Sequence, residues 1–417
     1  MKLDFGLNRM GYLNVLVNNM NLAIVSPFPP DVTGIGQYGF HVSRALAQSG
    51  KFTHIRVLAG ARAASESVDI PSSMKVVYAW QPDHLEVGLV INSYLRQQNP
   101  DLVWFNLGAS VFGRSPLANL FGFLSLYHVR LSGLPTVVTL HELVELADLK
   151  TLNAPGGRLA LFGARLLTNI ATQADVVCLT MRRYVNWFSA QHPNLTCVHI
   201  PIGAYQTPER LSESRFPELL YFGTLAPYKG LEVLLSAYQL LLSRYPGLRL
   251  TIAGADHPRF PGYCDTLRRG YTALPGVRWL GQVPEDQIRA MFARAQIVIL
   301  PYLASTGSSS VLYQAATWGR ALVASDLSET RAVAEESNLE VEFFENRDAA
   351  DLVRAIGSLI ESPMRRYAQT QHNYNVIQRR RPEVTCHAYL QAFNLALEAH
   401  RSPNRIDIPA HFPSELA

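Results

Sequence analysis

The sequence predicts an α/β protein made of two doubly wound parallel-sheet domains facing each other across a cleft. Three observations carry that reading. The chain has 417 residues, too many for one ordinary hydrophobic core and enough for two domains of roughly 150–200 residues. Two successive series of short apolar runs alternate with stretches long enough for crossover helices, the pattern of parallel strands covered on both faces. Several runs end in turns rich in Gly, Ser and Pro, and such turns stand at the carboxyl edge of the sheet, where ligands bind.

The opening run, 22–26, is closed by Pro27, Pro29 and Pro30, and 38–46 then has helical spacing. Further apolar runs predict strands near 55–58, 102–105, 136–139, 176–179 and 197–200. Over 204–218 periodicity gives way to Gln, Pro, Glu, Ser and Arg, which predicts a linker and sets the domain boundary near Ala204. A second series follows at 218–222, 248–252, 277–280, 297–300, 321–324 and, more weakly, 340–343, with helical segments such as 231–243 between them. The expected division is an N-terminal extension (1–19), a first domain (20–204), a second domain (205–384), a helix (385–400) packing back across the domains, and a loose tail (401–417). The extension carries Lys2 and Arg9 without a sustained apolar segment, so it does not read as a secretion signal.

Composition narrows the function classes. With 48% hydrophobic and 17% charged residues the chain reads as globular, not disordered. No apolar run reaches the ~18–20 residues of a membrane span. The formal charge of +4 is small and its bases are scattered, so a nucleic-acid partner has no electrostatic footprint. Segment 112–130 is rich in Phe and Leu and carries Arg114, His128 and Arg130; it predicts a crossover helix, with peripheral membrane contact as the second reading. Cys178, Cys197, Cys264 and Cys386 show no metal-ligand spacing and read as small buried residues in a reducing cytoplasm.

Three turns carry the chemistry. Gly34, Ile35 and Gly36 lie where the first strand hands over to the first helix, so backbone N–H groups and the helix N-terminus can meet a phosphate. In the second domain Gly223 and Thr224 begin a loop that ends in Lys229 and Gly230, placing an ammonium beside a helix start. After the strand at 297–300 comes a cluster of Thr306, Gly307, Ser308, Ser309 and Ser310. Such residues can cap the next helix or leave its N–H groups to cradle a diphosphate. His141 follows the strand at 136–139, with Glu142 and Glu145 just beyond; these carboxylates can orient an acceptor hydroxyl or simply favour a helix start.

Taken in order, these pieces resemble the family 4 (group 1) glycosyltransferases of the GT-B fold, from about Asn21 to about Leu397. The likeness rests on Ile-Val-Ser-Pro at 24–27 with Gly-Ile-Gly at 34–36, Val-Val-Thr-Leu-His-Glu at 137–142, Ile-Pro-Ile-Gly at 200–203, and Phe-Gly through Lys-Gly at 222–230. It continues with Ile-Ala-Gly at 252–254, Leu-Gly-Gln-Val at 280–283, Leu-Pro-Tyr at 300–302 and Ala-Ala-Thr-Trp-Gly at 315–319, followed by Leu-Val-Ala-Ser at 322–325. The resemblance implies retaining transfer of a sugar from a nucleotide diphosphate-sugar, which is a co-substrate, with no cofactor and no metal. It implies His141 at the transferred sugar and Lys229 at the departing diphosphate as catalytic groups. Gly34, Ile35, Gly36, Gly223, Thr224, Gly254, Gln282, Val283, Thr306, Gly307, Ser308, Ser309, Ser310 and Gln314 are the implied donor contacts, with Gln282 and Val283 at the base. Glu142 and Glu145 are the expected acceptor contacts. The acceptor is an unidentified glycan, lipid or small molecule, and the expected place is the cytoplasm, at the inner membrane face if a membrane is touched.

The chain departs from the family pattern at three positions. Thr306 and Gln314 stand where the family has a pair of glutamates, and Thr224 stands where an arginine accompanies the lysine. They mark a variant branch with a Thr-Gly-Ser-Ser loop, and they keep open an alternative, a catalytically silent nucleotide-sugar-binding protein of the same fold.

Overall fold

A computed structural model of the protein describes residues 17–30, 33–61, 69–146, 150–151, 158–305 and 307–401. The first domain is a seven-stranded sheet of β1 (Met20–Val25), β2 (Phe52–Gly60), β3 (Met74–Trp80), β4 (Leu102–Leu107), β5 (Thr136–Leu140), β6 (Val176–Leu179) and β7 (Thr196–His199), ordered β3-β2-β1-β4-β5-β6-β7. All of its pairings are parallel. Its helices are α1 (Gly34–Gln48), α2 (Val87–Gln98), α3 (Pro116–Leu131), α4 (Arg158–Ala171) and α5 (Arg182–Gln191). Strand order runs one way from β1 to β3 and the other way from β4 onward, so right-handed crossovers place α1 on one face and α2 to α5 on the other.

The second domain repeats the design with six strands: β8 (Glu218–Phe222), β9 (Arg249–Ala253), β10 (Val277–Gly281), β11 (Ile297–Leu300), β12 (Ala321–Ser325) and β13 (Glu342–Phe344), ordered β10-β9-β8-β11-β12-β13. Its helices are α6 (Leu231–Leu242), α7 (Tyr263–Gly270), α8 (Glu285–Arg294), α9 (Ser310–Thr317), α10 (Ser328–Ser337), α11 (Ala349–Glu361) and α12 (Pro363–Ile377). Strand order reverses between β1 and β4 and between β8 and β11. The crevice outside the carboxyl ends of those strands is where an open α/β sheet takes a ligand.

The central strands follow from their composition. Strand β4, Leu-Val-Trp-Phe-Asn-Leu, is buried at every position, as a strand covered on both faces requires. Strand β3 is absent from the sequence reading because it is a half-exposed edge strand, with Lys75 and Tyr78 open to solvent. The weak run at 340–343 gives a strand shifted to Glu342–Phe344.

The last helix, α13, spans Pro382–Arg401; it extends ahead of the periodic stretch 385–400 because a first-turn proline lacks only an N–H that had no helical partner. It packs on α1, β5 and β6. There the buried Tyr389 hydroxyl lies 2.9 Å from the Tyr38 hydroxyl and 2.8 Å from Thr139 Oγ1, which also accepts from Trp104 Nε1 at 2.9 Å. Elsewhere the domains meet through α10. The Glu336 carboxylate accepts from the backbone N–H groups of Arg182 (2.9 Å) and Arg183 (3.3 Å), at a helix start whose own N-cap, Met181, supplies no acceptor. Arg183 pairs with Glu329 at 3.3 Å. Burial, together with Arg182 and Arg380, pushes the His199 imidazole beside Glu336 down to about 4.

Tyr389→Phe removes the hydroxyl shared by Tyr38 and Thr139 and leaves buried polar atoms short of a partner. The expected loss is about 1–2 kcal/mol of unfolding free energy, read by chemical denaturation of the full chain.

Candidate active site

The first strand-to-helix turn is built by Thr33, whose side chain caps α1 by accepting from Gly36 N at 3.1 Å. Gly34 is exposed, and a Cβ there would meet nothing within 4 Å. One turn later the geometry is tight: a Cβ on Gly39 would fall 2.3 Å from Ser26 Oγ and 2.9 Å from Asn106 Nδ2. The glycine that lets α1 settle on the strand ends is therefore Gly39, a role sequence reading did not assign.

His141 sits just past β5, nearly buried, with Nε2 2.6 Å from Asn106 Oδ1 and its ring edge-on to Tyr38 at 4.7 Å. Asn106 has a fixed orientation. Its Nδ2 donates to Ser26 Oγ (2.9 Å) and to the Ile35 carbonyl (3.1 Å), while Ser26 Oγ gives its own proton to the Pro27 carbonyl at 2.7 Å. With both amide hydrogens committed, Oδ1 can only accept, so Nε2 of His141 carries the proton and Nδ1 is the acceptor. Burial pushes this imidazole down to about 3. The ring is thus neutral at physiological pH and serves as a hydrogen-bonding group, not a titrating base. Asn106 was missed from sequence; its one signal is a lone amide at the carboxyl end of an otherwise apolar central strand.

Lys229 ends a short 3₁₀ turn, Pro227–Lys229, ahead of α6. Its ammonium rests 3.7 Å from the centre of the Tyr302 ring and 5.7 Å from that of Tyr228, a cation–π arrangement. Among the described residues no carboxylate stands within ion-pair distance of it. Burial pushes the amine down to about 8, with Glu142 opposing the shift. Around it the second-domain strand ends are tied by backbone, Gly223 N donating to Ala253 O (3.0 Å) and Gly254 N to Gly281 O (2.7 Å). Thr224 is half-buried, its carbonyl accepting from the Tyr221 hydroxyl at 2.9 Å. Beyond Gly281, Gln282 is exposed and Val283 half-buried; α8 follows, and its Glu285 meets His41 of α1 at 3.2 Å.

The loop after β11 crosses to the first domain. Gly307 forms an antiparallel backbone bridge with Glu142, and a Cβ on Gly307 would lie 2.4 Å from the His141 carbonyl oxygen. Only glycine permits that approach. Ser305 Oγ donates to the Gly307 carbonyl at 2.8 Å. The capping role open to the loop hydroxyls is not taken: Ser309 is the N-cap of α9 and makes no side-chain cap bond, its Oγ lying 3.4 Å from the Tyr302 hydroxyl. Ser308 Oγ is buried with no hydrogen-bond partner among the described residues. Ser310 opens α9 and Gln314 is buried on it. Thr306 lies outside the described residues.

Of the two carboxylates, Glu142 is committed, accepting from Ala109 N at 2.9 Å. Both oxygens of Glu145 are buried with no hydrogen-bond partner among the described residues. The structure therefore brings His141, Glu142 and Gly307 into direct contact, sets Lys229 on Tyr302 beside the same loop, and ties Ile35 to His141 through Asn106. Among the described residues no three His, Cys, Asp or Glu side chains gather as a metal site would require.

The contact between Asn106 and His141 has a direct test. A carboxylate in Asn106→Asp stabilises the imidazolium, so the His141 titration followed by NMR moves up from far below the usual histidine range, and an unmoved titration contradicts the contact. Stability has the matching sign. The His141 pKa is lower folded than unfolded, so the neutral ring's contribution is whole above about 6.5 and is lost as pH falls toward about 3.

Comparison with known proteins agrees with the two-domain fold. Residues 216–362 match the family model described as glycosyl transferases group 1. The chain is 24% identical over 286 residues to an uncharacterized glycosyltransferase, YqgM, of Bacillus subtilis, covering 68% of this chain and 72% of that protein. It is 35% identical over 108 residues to a phosphatidyl-myo-inositol mannosyltransferase of Mycolicibacterium smegmatis, a stretch of 26% of either protein. Among solved structures, sucrose-phosphate synthase of Thermosynechococcus elongatus superposes with a TM-score of 0.70 at 14% identity, over 91% of this chain and 100% of the other. Anabaena HepE in complex with UDP and glucose superposes with a TM-score of 0.67 at 15% identity, over 89% and 98%. Residues 216–362 carry the group 1 glycosyltransferase pattern, and the chain as a whole has the GT-B architecture.

Proposed function

We propose that the protein moves a sugar from a nucleotide diphosphate-sugar to an acceptor hydroxyl with retention of configuration and without a metal ion, in polysaccharide, lipid-linked glycan or glycoside assembly. The observation that carries this reading is the Lys229 ammonium, held on the Tyr302 ring with no carboxylate partner among the described residues, beside the start of helix α9, where the N-cap side chain makes no capping bond. A cation and a helix start without a side-chain cap, facing one crevice, suit a diphosphate. In this reading Gly223, Thr224, Gly254 and 307–310 line the diphosphate and sugar, Gln314 meets the ribose, Gln282 and Val283 meet the base, and Gly34–Gly36 close from the first domain. Nδ1 of the neutral His141 accepts from a sugar hydroxyl. Glu145 is the stronger acceptor contact of the two carboxylates, because Glu142 is already engaged.

Lys229→Ala is expected to weaken binding of the preferred nucleoside diphosphate by about ten- to a hundredfold, the range of one charge-assisted hydrogen bond. Calorimetric titration against UDP, GDP and ADP measures this and identifies the base; unchanged affinity contradicts the phosphate site. Since the free amine sits at about 8, its charge is lost as pH rises, so wild-type affinity falls through that value while Lys229→Arg, always charged, keeps it. Product formation from the preferred donor in the presence of EDTA tests the metal-independent step, and loss of product there overturns it.

A second reading has its own observation: Thr224 and Gln314 supply no charge where the family pattern has an arginine and a glutamate. It predicts a chain that binds the donor yet shows neither transfer nor slow hydrolysis.

A further inference from the structure

The four helices on the outer face of the first sheet share an unusual composition. Within α2, α3, α4 and α5 there is not one Asp or Glu. The chain has 33 acidic residues in 417, which would place about four on helices of that combined length. Bases are present instead: Arg96 on α2, His128 and Arg130 on α3, Arg165 on α4, and Arg182 and Arg183 on α5. In the second domain acids stand in the first turns of α6, α7, α8, α10 and α11, while α9 and α12, like α1, carry none; what sets α2 to α5 apart is four successive acid-free helices on one face.

The same face is apolar where it should be polar. Along α3, Leu117, Phe121, Leu124 and Leu131 recur at helical spacing and are all exposed, Leu131 at 85%. Leu89 on α2 is exposed at 74% and Phe162 on α4 at 68%. These helices are neighbours, α3 packing on both α2 and α4. The join is close, since a Cβ on Gly88 would fall 2.3 Å from the Phe121 carbonyl oxygen. A groove between α2 and α3 is lined by Asn92, Arg96, Asn99, His128 and Ser132, with the Arg96 guanidinium against the His128 ring. Scattered surface leucines need no explanation, but exposed apolar side chains recurring on three adjacent helices do.

We propose that this face, α2 to α4, is a docking surface for an anionic lipid bilayer, the stripe entering the headgroup boundary while Arg96, Arg165 and the α2–α3 groove meet lipid phosphates. Charge complementarity selects this occupant. Acid-free helices with apolar side chains flanked by arginine match a negatively charged interface, where each base adds to the apolar contribution; the one carboxylate at the start of α2, Glu86, is beside His84 at 3.5 Å. No helix among the described residues is long and apolar enough to cross a membrane, so the contact is lateral. The proposal is independent of the donor site, which stands at the carboxyl ends of the strands.

The test is co-sedimentation of the full chain with vesicles of phosphatidylcholine alone and of phosphatidylcholine with phosphatidylglycerol. Wild type is expected to sediment with the anionic vesicles, to stay in solution with the neutral ones, and to lose binding as salt rises. Phe121→Ser with Leu124→Ser, and separately Phe162→Ser, should lower the partition by tenfold or more. Arg165→Glu should do the same while leaving the apolar stripe intact, which guards against a folding defect in the apolar variants. Nucleoside diphosphate affinity should be unchanged in all of them, so failure here and failure of the transferase reading are separable. Absence of binding to anionic vesicles overturns the proposal, as does binding that these substitutions leave unmoved. A concentration-dependent dimer by light scattering that the same substitutions dissolve, with no vesicle binding, also overturns it and assigns the face to a second copy of the chain.

Discussion

A buried hydrogen-bond relay at the carboxyl ends of β1, β4 and β5 is the constraint on which the rest of the site depends. Asn106 stands where three elements converge, and every polar atom of its side chain is committed: to Ser26 at the end of β1, to Ile35 in the first turn of α1, and to His141 past β5. In a low-dielectric interior each such group must find a partner or cost the fold. The relay therefore specifies the position of α1, the orientation of the His141 ring and its tautomer at once. Gly39 makes it geometrically possible, because a side chain there would occupy the place of Ser26 Oγ and Asn106 Nδ2. Behind the same strands Tyr389 of α13 joins Thr139 and Tyr38, so the last helix of the chain braces the strand that delivers the histidine.

On the opposite side of the crevice the second domain contributes charge and backbone, not a carboxylate pair. Lys229 lies on Tyr302, and burial lowers its pKa because the ammonium has given up water. A cation held this way is ready for an anion without first breaking an ion pair. The contact between Gly307 and the backbone of Glu142 and His141 brings the donor-side loop of the proposed mechanism directly against the histidine. The cleft is thus closed by main chain at one point, while the α10 contact with the start of α5 closes it at another.

Right-handed crossovers divide the first domain into two unlike faces. One carries α1 and the bracing helix α13; the other carries the acid-free helices α2 to α5. Neither face supplies the crevice itself, which forms at the strand ends, so binding at the crevice and contact at the outer face can evolve and act separately.

Sequence alone determined the two α/β units and the turns at which Gly34–Gly36, Gly223–Lys229 and 307–310 stand, because apolar periodicity and glycine-rich punctuation are local properties. It also carried the family resemblance of the second domain. Edge strand β3 escaped because a half-exposed strand lacks a strong apolar signal. Only tertiary structure decided that Asn106 holds His141, that Gly39 is the close-packing glycine, that Glu142 is engaged while Glu145 has no hydrogen-bond partner among the described residues, and that the serines before α9 do not cap it. Each of these turns on which atoms meet across elements distant in sequence. The outer face was legible only in part: the segment 112–130 showed an apolar helix with basic ends, but its union with the acid-free helices α2 and α4 into one surface arises from the order of strands in the sheet, which spacing along the chain does not record.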